Sequence, residues 1–331
     1  MKKLILCISA GLITALILVQ AYCWFIHPEI QFYKKADAIS TLHEQKLRAA
    51  GHSCYILAGG SETKTSFSPR IMNEEAGIQV VNTALAAGFG LEVNAEIAVN
   101  HLHPGDTLVL GLLSEQDRNS HASEGGLKLA VQLYGPRIFL HDIISLTPQN
   151  ILHLFTSDAS NVMISTIRRL TRGYAYIYNE QATLHPDGWM DVHNNSMQKS
   201  QSDLDITEEQ LIQKDCLSLL KRIQSTCQSI HADFVIMFPA AYTNESEPNR
   251  RLMHALQLTR LGIPVLRDER LGYDKDNSLF ADTQLHMSAK GTDRNSRIIA
   301  RLLRDKSYWT EQELLERMNA RGFTVDDTPQ K

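Results

Sequence analysis

A serine hydroxyl becomes a strong nucleophile when a histidine takes its proton and a carboxylate holds that histidine in place. This 331-residue chain carries the block Gly59-Gly60-Ser61 directly after the apolar run 54–58. Far downstream it carries Phe280-Ala281-Asp282-Thr283-Gln284-Leu285-His286, with a carboxylate four positions before the histidine. A serine after the first strand of an α/β sheet stands at the edge where such folds place their sites. The two glycines before it permit a tight turn and close approach of a ligand. Each block alone has a plainer reading: Ser61 as a helix cap, and His286 as a surface-loop histidine. One near each end of an alternating strand and helix region, they are more telling together.

A third block, Val80 to Leu91, leaves the second apolar run and enters a helix. Backbone N–H groups at its glycines could stabilise a developing oxyanion. The rival is a dinucleotide fingerprint, because Gly88 and Gly90 have the right spacing. Val93 stands where the third glycine belongs, and the pattern follows the second strand rather than the first, which disfavours a nucleotide site. His101 and His103 lie in a helix-to-strand turn with no evident third ligand, so a metal is not expected. Arg168, Arg169 and Arg172 read as a solvated helix face. No cofactor is expected.

The elements that must position these residues follow from periodicity. Continuous apolar runs at 54–58, 79–82, 107–113, 234–238 and 264–267 read as strands of a parallel sheet covered on both faces. Helical patterns lie at 92–102, 207–231, 248–261 and 288–303. The longest of these opens on a capping box of Thr207 and Gln210, and a final helix at 310–320 opens on Thr310 and Glu313. Strands alternating with helices indicate an α/β fold. About 120 residues separate the third and fourth strands, far more than a crossover needs. The stretch 115–205 therefore reads as an insertion, a helical subdomain followed by the polar loop 173–205. Tyr174, Tyr176, Trp189 and His193 in that loop would suit a carbohydrate. The expected organisation is a membrane or signal segment at 1–27, a linker helix at 28–52, one α/β domain at 53–305 and a C-terminal helix and tail at 306–331.

The apolar tract 4–26 follows Lys2 and Lys3. It is about 34 Å long as a helix, enough to span a bilayer. Tyr22, Trp24 and Phe25 suit the far membrane interface, and the two lysines favour a cytoplasmic N-terminus. A cleaved signal peptide ending near Ala21 is the alternative. Either reading exports the rest of the chain. A net charge of −4 disfavours nucleic acid as a partner. Five cysteines in 331 residues exclude a disulfide scaffold. Cys216 and Cys227 sit about three helical turns apart and cannot easily bridge.

These blocks, in order, resemble the SGNH (GDSL-like) hydrolases, closest to a membrane-anchored, envelope-facing bacterial branch. That branch has Gly-Gly-Ser, then Val-Asn-x-x-Leu-x-x-Gly-x-Gly-Leu, then Pro-Gly-Asp before the third strand, and finally Phe-x-Asp-Thr-x-x-His-Leu-x-x-x-Gly. Here they correspond to Gly59-Gly60-Ser61, Val81-Asn82 through Gly90-Leu91, Pro104-Gly105-Asp106, and Phe280 through Gly291 with Met287 in place of the leucine. The resemblance covers about residues 50–115 and 230–305. It implies a flavodoxin-like three-layer α/β/α sandwich with a five-stranded parallel sheet, plus the N-terminal transmembrane helix. It makes Ser61 the nucleophile, His286 the base and Asp282 its partner. The Ser61 N–H and a glycine near Gly88 become the oxyanion donors, with Gly60, Gly88 and Asn82 around the pocket; Glu115, at the end of the third strand, would shape the pocket in place of the family's asparagine. The implied activity is that of an esterase or O-acyltransferase. Its substrate would be an acyl ester of an envelope glycan or lipid, and it would work from the bacterial inner membrane in the periplasm. The alternative is a non-catalytic binding or scaffold module among envelope-assembly proteins. Three departures stand out. Gly111-Leu112-Leu113-Ser114-Glu115 replaces the usual Gly-x-Asn-Asp, the Asp–His spacing is one residue longer, and Ala84 occupies a frequent glycine position.

Overall fold

The computed structural model describes residues 2–25, 28–112, 130, 133, 134, 143, 182–192, 211–242 and 249–322. In chain order the elements are α1 (Lys2–Phe25), α2 (Pro28–Ala49), β1 (Tyr55–Ala58), α3 (Ser61–Ser66), α4 (Pro69–Ala76), β2 (Val80–Asn82), α5 (Gly90–Val99) and β3 (Thr107–Gly111). Next come β4 (Ala182–Leu184), β5 (Met190–Val192), α6 (Lys214–Ser229), β6 (Asp233–Met237), β7 (Ala241–Tyr242), α7 (Asn249–Arg260), β8 (Tyr273–Asp274), α8 (Ala289–Arg304) and α9 (Glu311–Asn319).

The protein is α/β, with a four-stranded parallel sheet in the order β2-β1-β3-β6. Successive side chains on a strand point to opposite faces, and both faces are covered. Ile56, Leu108, Leu110 and Ile236 pack with Leu91 of α5, Leu220 and Ile223 of α6 and Leu252 of α7. Leu57, Val109, Val235 and Met237 pack on the other side with Met72 of α4 and Ile299 and Leu303 of α8. The run 264–267 does not form the expected fifth strand. Val265 makes one parallel bridge to Ile236, and Leu266 then bridges Tyr308. Pro264 has no N–H to give a ladder, and Leu266 is shared between two neighbours.

Two other expectations change. Helix α6 begins at Lys214 after Gln213, which makes no side-chain cap; the Thr207–Gln210 box lies outside the described residues. The polar loop contains an antiparallel hairpin, β4 with β5. The capping box of Thr310 and Glu313 on α9 forms as expected. Cys7, Cys54, Cys216 and Cys227 are free thiols.

Helix α2 is packed into the domain rather than standing as a spacer. Its Phe32, Tyr33 and Ala36 join Leu85, Phe89 and Val93 and hairpin residues Met190 and Val192 in one cluster. Arg48, near its end, donates to Asp106 Oδ1 at 2.7 Å, while Asp106 also accepts from the Cys54 and His103 N–H groups, each at 2.8 Å. Thus the Pro-Gly-Asp turn fastens α2 to the first and third strands. Helix α1 exposes Leu6, Ile13, Ile17 and Phe25. Among the described residues no helix is long and apolar enough to cross a membrane. Ile26, and the side chains of Leu4, Ile5, Leu12, Leu16, Val19, Tyr22 and Trp24, lie outside them.

Candidate active site

Strand β1 ends at Ala58, and the chain turns through Gly59 and Gly60 into α3, whose first residue is Ser61. Gly59 has φ 151°, a region open mainly to glycine. Gly60 is needed for space: a Cβ there would stand 2.6 Å from Ala87 N and 2.7 Å from Ala87 Cα. The turn carrying Ser61 is therefore wedged against the backbone that follows β2. Helix α3 has the sequence Ser-Glu-Thr-Lys-Thr-Ser, and all six residues are buried.

His286 lies in the loop that leads to α8. That loop is pinched shut at its base by a bridge between Phe280 and Met287 and by the Ala281 N–H donating to His286 O at 2.8 Å. Inside it, Thr283 Oγ1 accepts from the N–H groups of Leu285 at 3.2 Å and His286 at 3.0 Å. These contacts hold Asp282 and His286 in one tight loop. Tyr242 N–H donates to Gln284 O at 2.8 Å, tying the loop to the strand that follows β6.

The result is a continuous hydrogen-bonded line. Asp282 Oδ1 is 2.8 Å from His286 Nδ1, and His286 Nε2 is 2.9 Å from Ser61 Oγ. An ionised carboxylate only accepts, so Nδ1 carries the proton. Nε2 is left to accept from the Ser61 hydroxyl. The serine and histidine are both buried, at 8% and 6% exposure. Ser61 and His286 are 225 positions apart in the chain.

The remaining residues expected at the site divide. Gly60 forms the turn itself. Gly88 is exposed, with open space beside its backbone; the peptide that abuts Gly60 is that of Ala87. Asn82 makes its side-chain hydrogen bonds to backbone groups. It is fully buried, its Nδ2 donates to Phe67 O at 3.0 Å, and its Oδ1 accepts from Ala84 N–H at 3.3 Å. Glu115 lies outside the described residues, as do Arg168, Arg169, Arg172, Tyr174, Tyr176 and His193. Trp189 is buried, and its Nε1–H donates to Thr65 O at 3.0 Å, so it braces α3 instead of presenting a face to a sugar. His101 is paired with Glu44 at 2.7 Å.

Two charged side chains beside the serine carried no signal in the reading of the sequence. Glu62 accepts from Gly60 N–H at 2.7 Å, and burial pushes its carboxyl above the usual range. Lys64 donates to Asn82 O at 2.8 Å and Ser40 Oγ at 3.2 Å, and burial pushes its ammonium down to about 7. The available hint was position: a fully polar hexamer directly after an apolar strand and two glycines. Among the described residues no group of three or more His, Cys, Asp or Glu could hold a metal ion. No protein-family model, curated protein or solved structure matches this chain.

Proposed function

We propose that this protein is an extracytoplasmic serine esterase or O-acyltransferase of the SGNH type, held at the membrane by its N-terminal segment. The observation that carries the reading is the line Asp282–His286–Ser61, with separations of 2.8 and 2.9 Å. The strand order β2-β1-β3-β6, with Val265 bridging Ile236 beyond it, fits the flavodoxin-like order and supports the three-layer reading. The anchor rests on the apolar tract 4–26.

In the proposed reaction, Ser61 Oγ attacks the ester carbonyl carbon while its proton passes to His286 Nε2. Asp282 holds the Nδ1–H and stabilises the imidazolium. Ser61 opens α3, and the first N–H groups of a helix lack intrahelical acceptors. Its N–H, with the backbone at 87–88, would receive the oxyanion. Collapse breaks the bond to the alcohol, which leaves with the proton from His286, and the acyl group remains on Ser61. His286 then deprotonates water, giving a free acid, or a sugar hydroxyl, giving a new ester. The substrate class is an acyl ester of an envelope glycan or lipid.

The test is labelling of the purified full-length protein with a fluorophosphonate probe. The expected result is one adduct that disappears in Ser61→Ala. Absence of Ser61-dependent labelling would favour the non-catalytic scaffold.

A further inference from the structure

A carboxylate inside a protein core is costly unless its oxygens are satisfied, yet Glu62 directly follows the candidate nucleophile and is 1% exposed. Its side chain folds back over the two residues that precede Ser61. Oε1 accepts from Gly60 N–H at 2.7 Å, and Thr63 Oγ1 donates to the same oxygen at 3.5 Å. Oε2 lies 2.4 Å from where a Gly60 Cβ would stand, and Oε1 lies 3.4 Å from where a Gly59 Cβ would stand. The carboxylate thus occupies the space that a Gly60 side chain would need, while at Gly59 that space is taken by Thr63, whose Oγ1 lies 2.3 Å from where a Cβ would stand. Gly60 O in turn accepts from the N–H groups of Thr63 and Lys64, each at 3.1 Å. Both polar backbone groups of Gly60 are therefore held from the α3 side, while the Ala87 backbone presses from the other. The Gly-Gly-Ser-Glu tetrad acts with Thr63 as one unit: Gly60 makes room for the carboxylate, Gly59 for the Thr63 side chain, and the carboxylate holds the Gly60 N–H.

We infer that Glu62 is a positioning residue for Ser61, its carboxylate clamping the Gly59–Gly60 turn so that the serine hydroxyl meets His286 and the Ser61 N–H faces the developing oxyanion. The inference rests on the serine-nucleophile reading above. The function of the clamp lies in the acceptor oxygen, not in the space filled. Burial raises the Glu62 carboxyl and a charged His286 would lower it, which places the two groups within electrostatic reach.

The experiment compares full-length wild type, Glu62→Gln, Glu62→Ala and Ser61→Ala. It measures the fluorophosphonate labelling rate and p-nitrophenyl acetate hydrolysis, with circular dichroism to establish folding. Glutamine keeps an oxygen acceptor at the same reach, so Glu62→Gln is expected to label within about 3-fold of wild type. Glu62→Ala is expected to lose about 10²-fold in kcat, the scale of an ångström-level misplacement, with KM changed less than about 3-fold. Should Glu62→Ala not fold, Glu62→Met, which fills the space without an oxygen, is read in its place. A folded Glu62→Ala or Glu62→Met that labels at the wild-type rate overturns the inference, as does a Glu62→Gln as slow as the alanine variant. Wild type that shows no Ser61-dependent labelling overturns the nucleophile reading itself, and the inference falls with it.

Discussion

Lys64 offers a prediction whose sign and size both come from its surroundings. It is 1% exposed, one turn beyond Ser61, and its donors reach Asn82 O and Ser40 Oγ. Burial is the largest influence and pushes the ammonium down to about 7, against the pull of Asp37 and Asp187. In the unfolded chain a lysine titrates near about 10.4. Between those values the unfolded state holds a proton that the native state has released, so stability rises with pH. The contribution is fully present above the unfolded value and is lost as pH falls through about 7. Across the whole window it amounts to about 5 kcal/mol, about half of it between about pH 7.5 and about pH 9.5. Lys64→Met fills similar space and removes the titration. The assay is urea denaturation of wild type and variant at several pH values in that range. The stability of wild type relative to Lys64→Met is expected to climb by roughly 1 kcal/mol per pH unit. A difference that stays flat or falls with pH would refute the reasoning, because it would mean that the ammonium remains solvated.

Three further outcomes are expected. Asp282→Asn presents an amide where His286 Nδ1–H needs an acceptor, and on the proposed reading lowers kcat by about 10²–10⁴-fold, as measured by probe labelling at fixed protein concentration. Gly60→Ala drives a methyl against Ala87 N, 2.6 Å away; backbone cannot yield as a side chain tip does, so about 1–3 kcal/mol of stability and most of the labelling should be lost together. Asp106→Asn removes the charge facing Arg48 and should lower stability by about 3–5 kcal/mol in urea titrations, without slowing labelling of the folded fraction.

The strands were legible because both faces of the sheet are buried, so β1, β3 and β6 read as unbroken apolar runs with no polar alternation to confuse the period. Val265 was read as a strand for the same reason. Its partnering depends on a preceding proline and on Tyr308, which hydrophobicity does not report. Helix α3 was not legible. Its six polar residues are buried, and remote groups hold the segment in place: Thr292 Oγ1 and Trp189 Nε1 both donate to Thr65 O, at 2.6 and 3.0 Å, and Asn82 and Ser40 receive Lys64. The hairpin of β4 and β5 was hidden likewise. Asp187, in its turn, accepts from Ser68 Oγ at 2.9 Å, and Gly188, with φ 89°, closes over Ser40. Its order comes from docking on α3 and α4 rather than from its own pattern.

By itself the sequence determined the local pieces: two glycines and a serine after an apolar strand, and an aspartate four residues before a histidine ahead of a capped helix. Those are questions of backbone freedom and short-range spacing, which neighbours in the chain decide. Only the tertiary structure decided that Ser61 and His286 meet at 2.9 Å, that the buried Asn82 side chain bonds the backbone of Phe67 and Ala84, and that a glutamate and a lysine lie buried beside the serine. Parallel strands bring their C-terminal ends to one edge, so loops distant in sequence converge there. The remote partners of α3 then come from α2, β2, α8 and the inserted hairpin, none of which is adjacent to Ser61 in the chain.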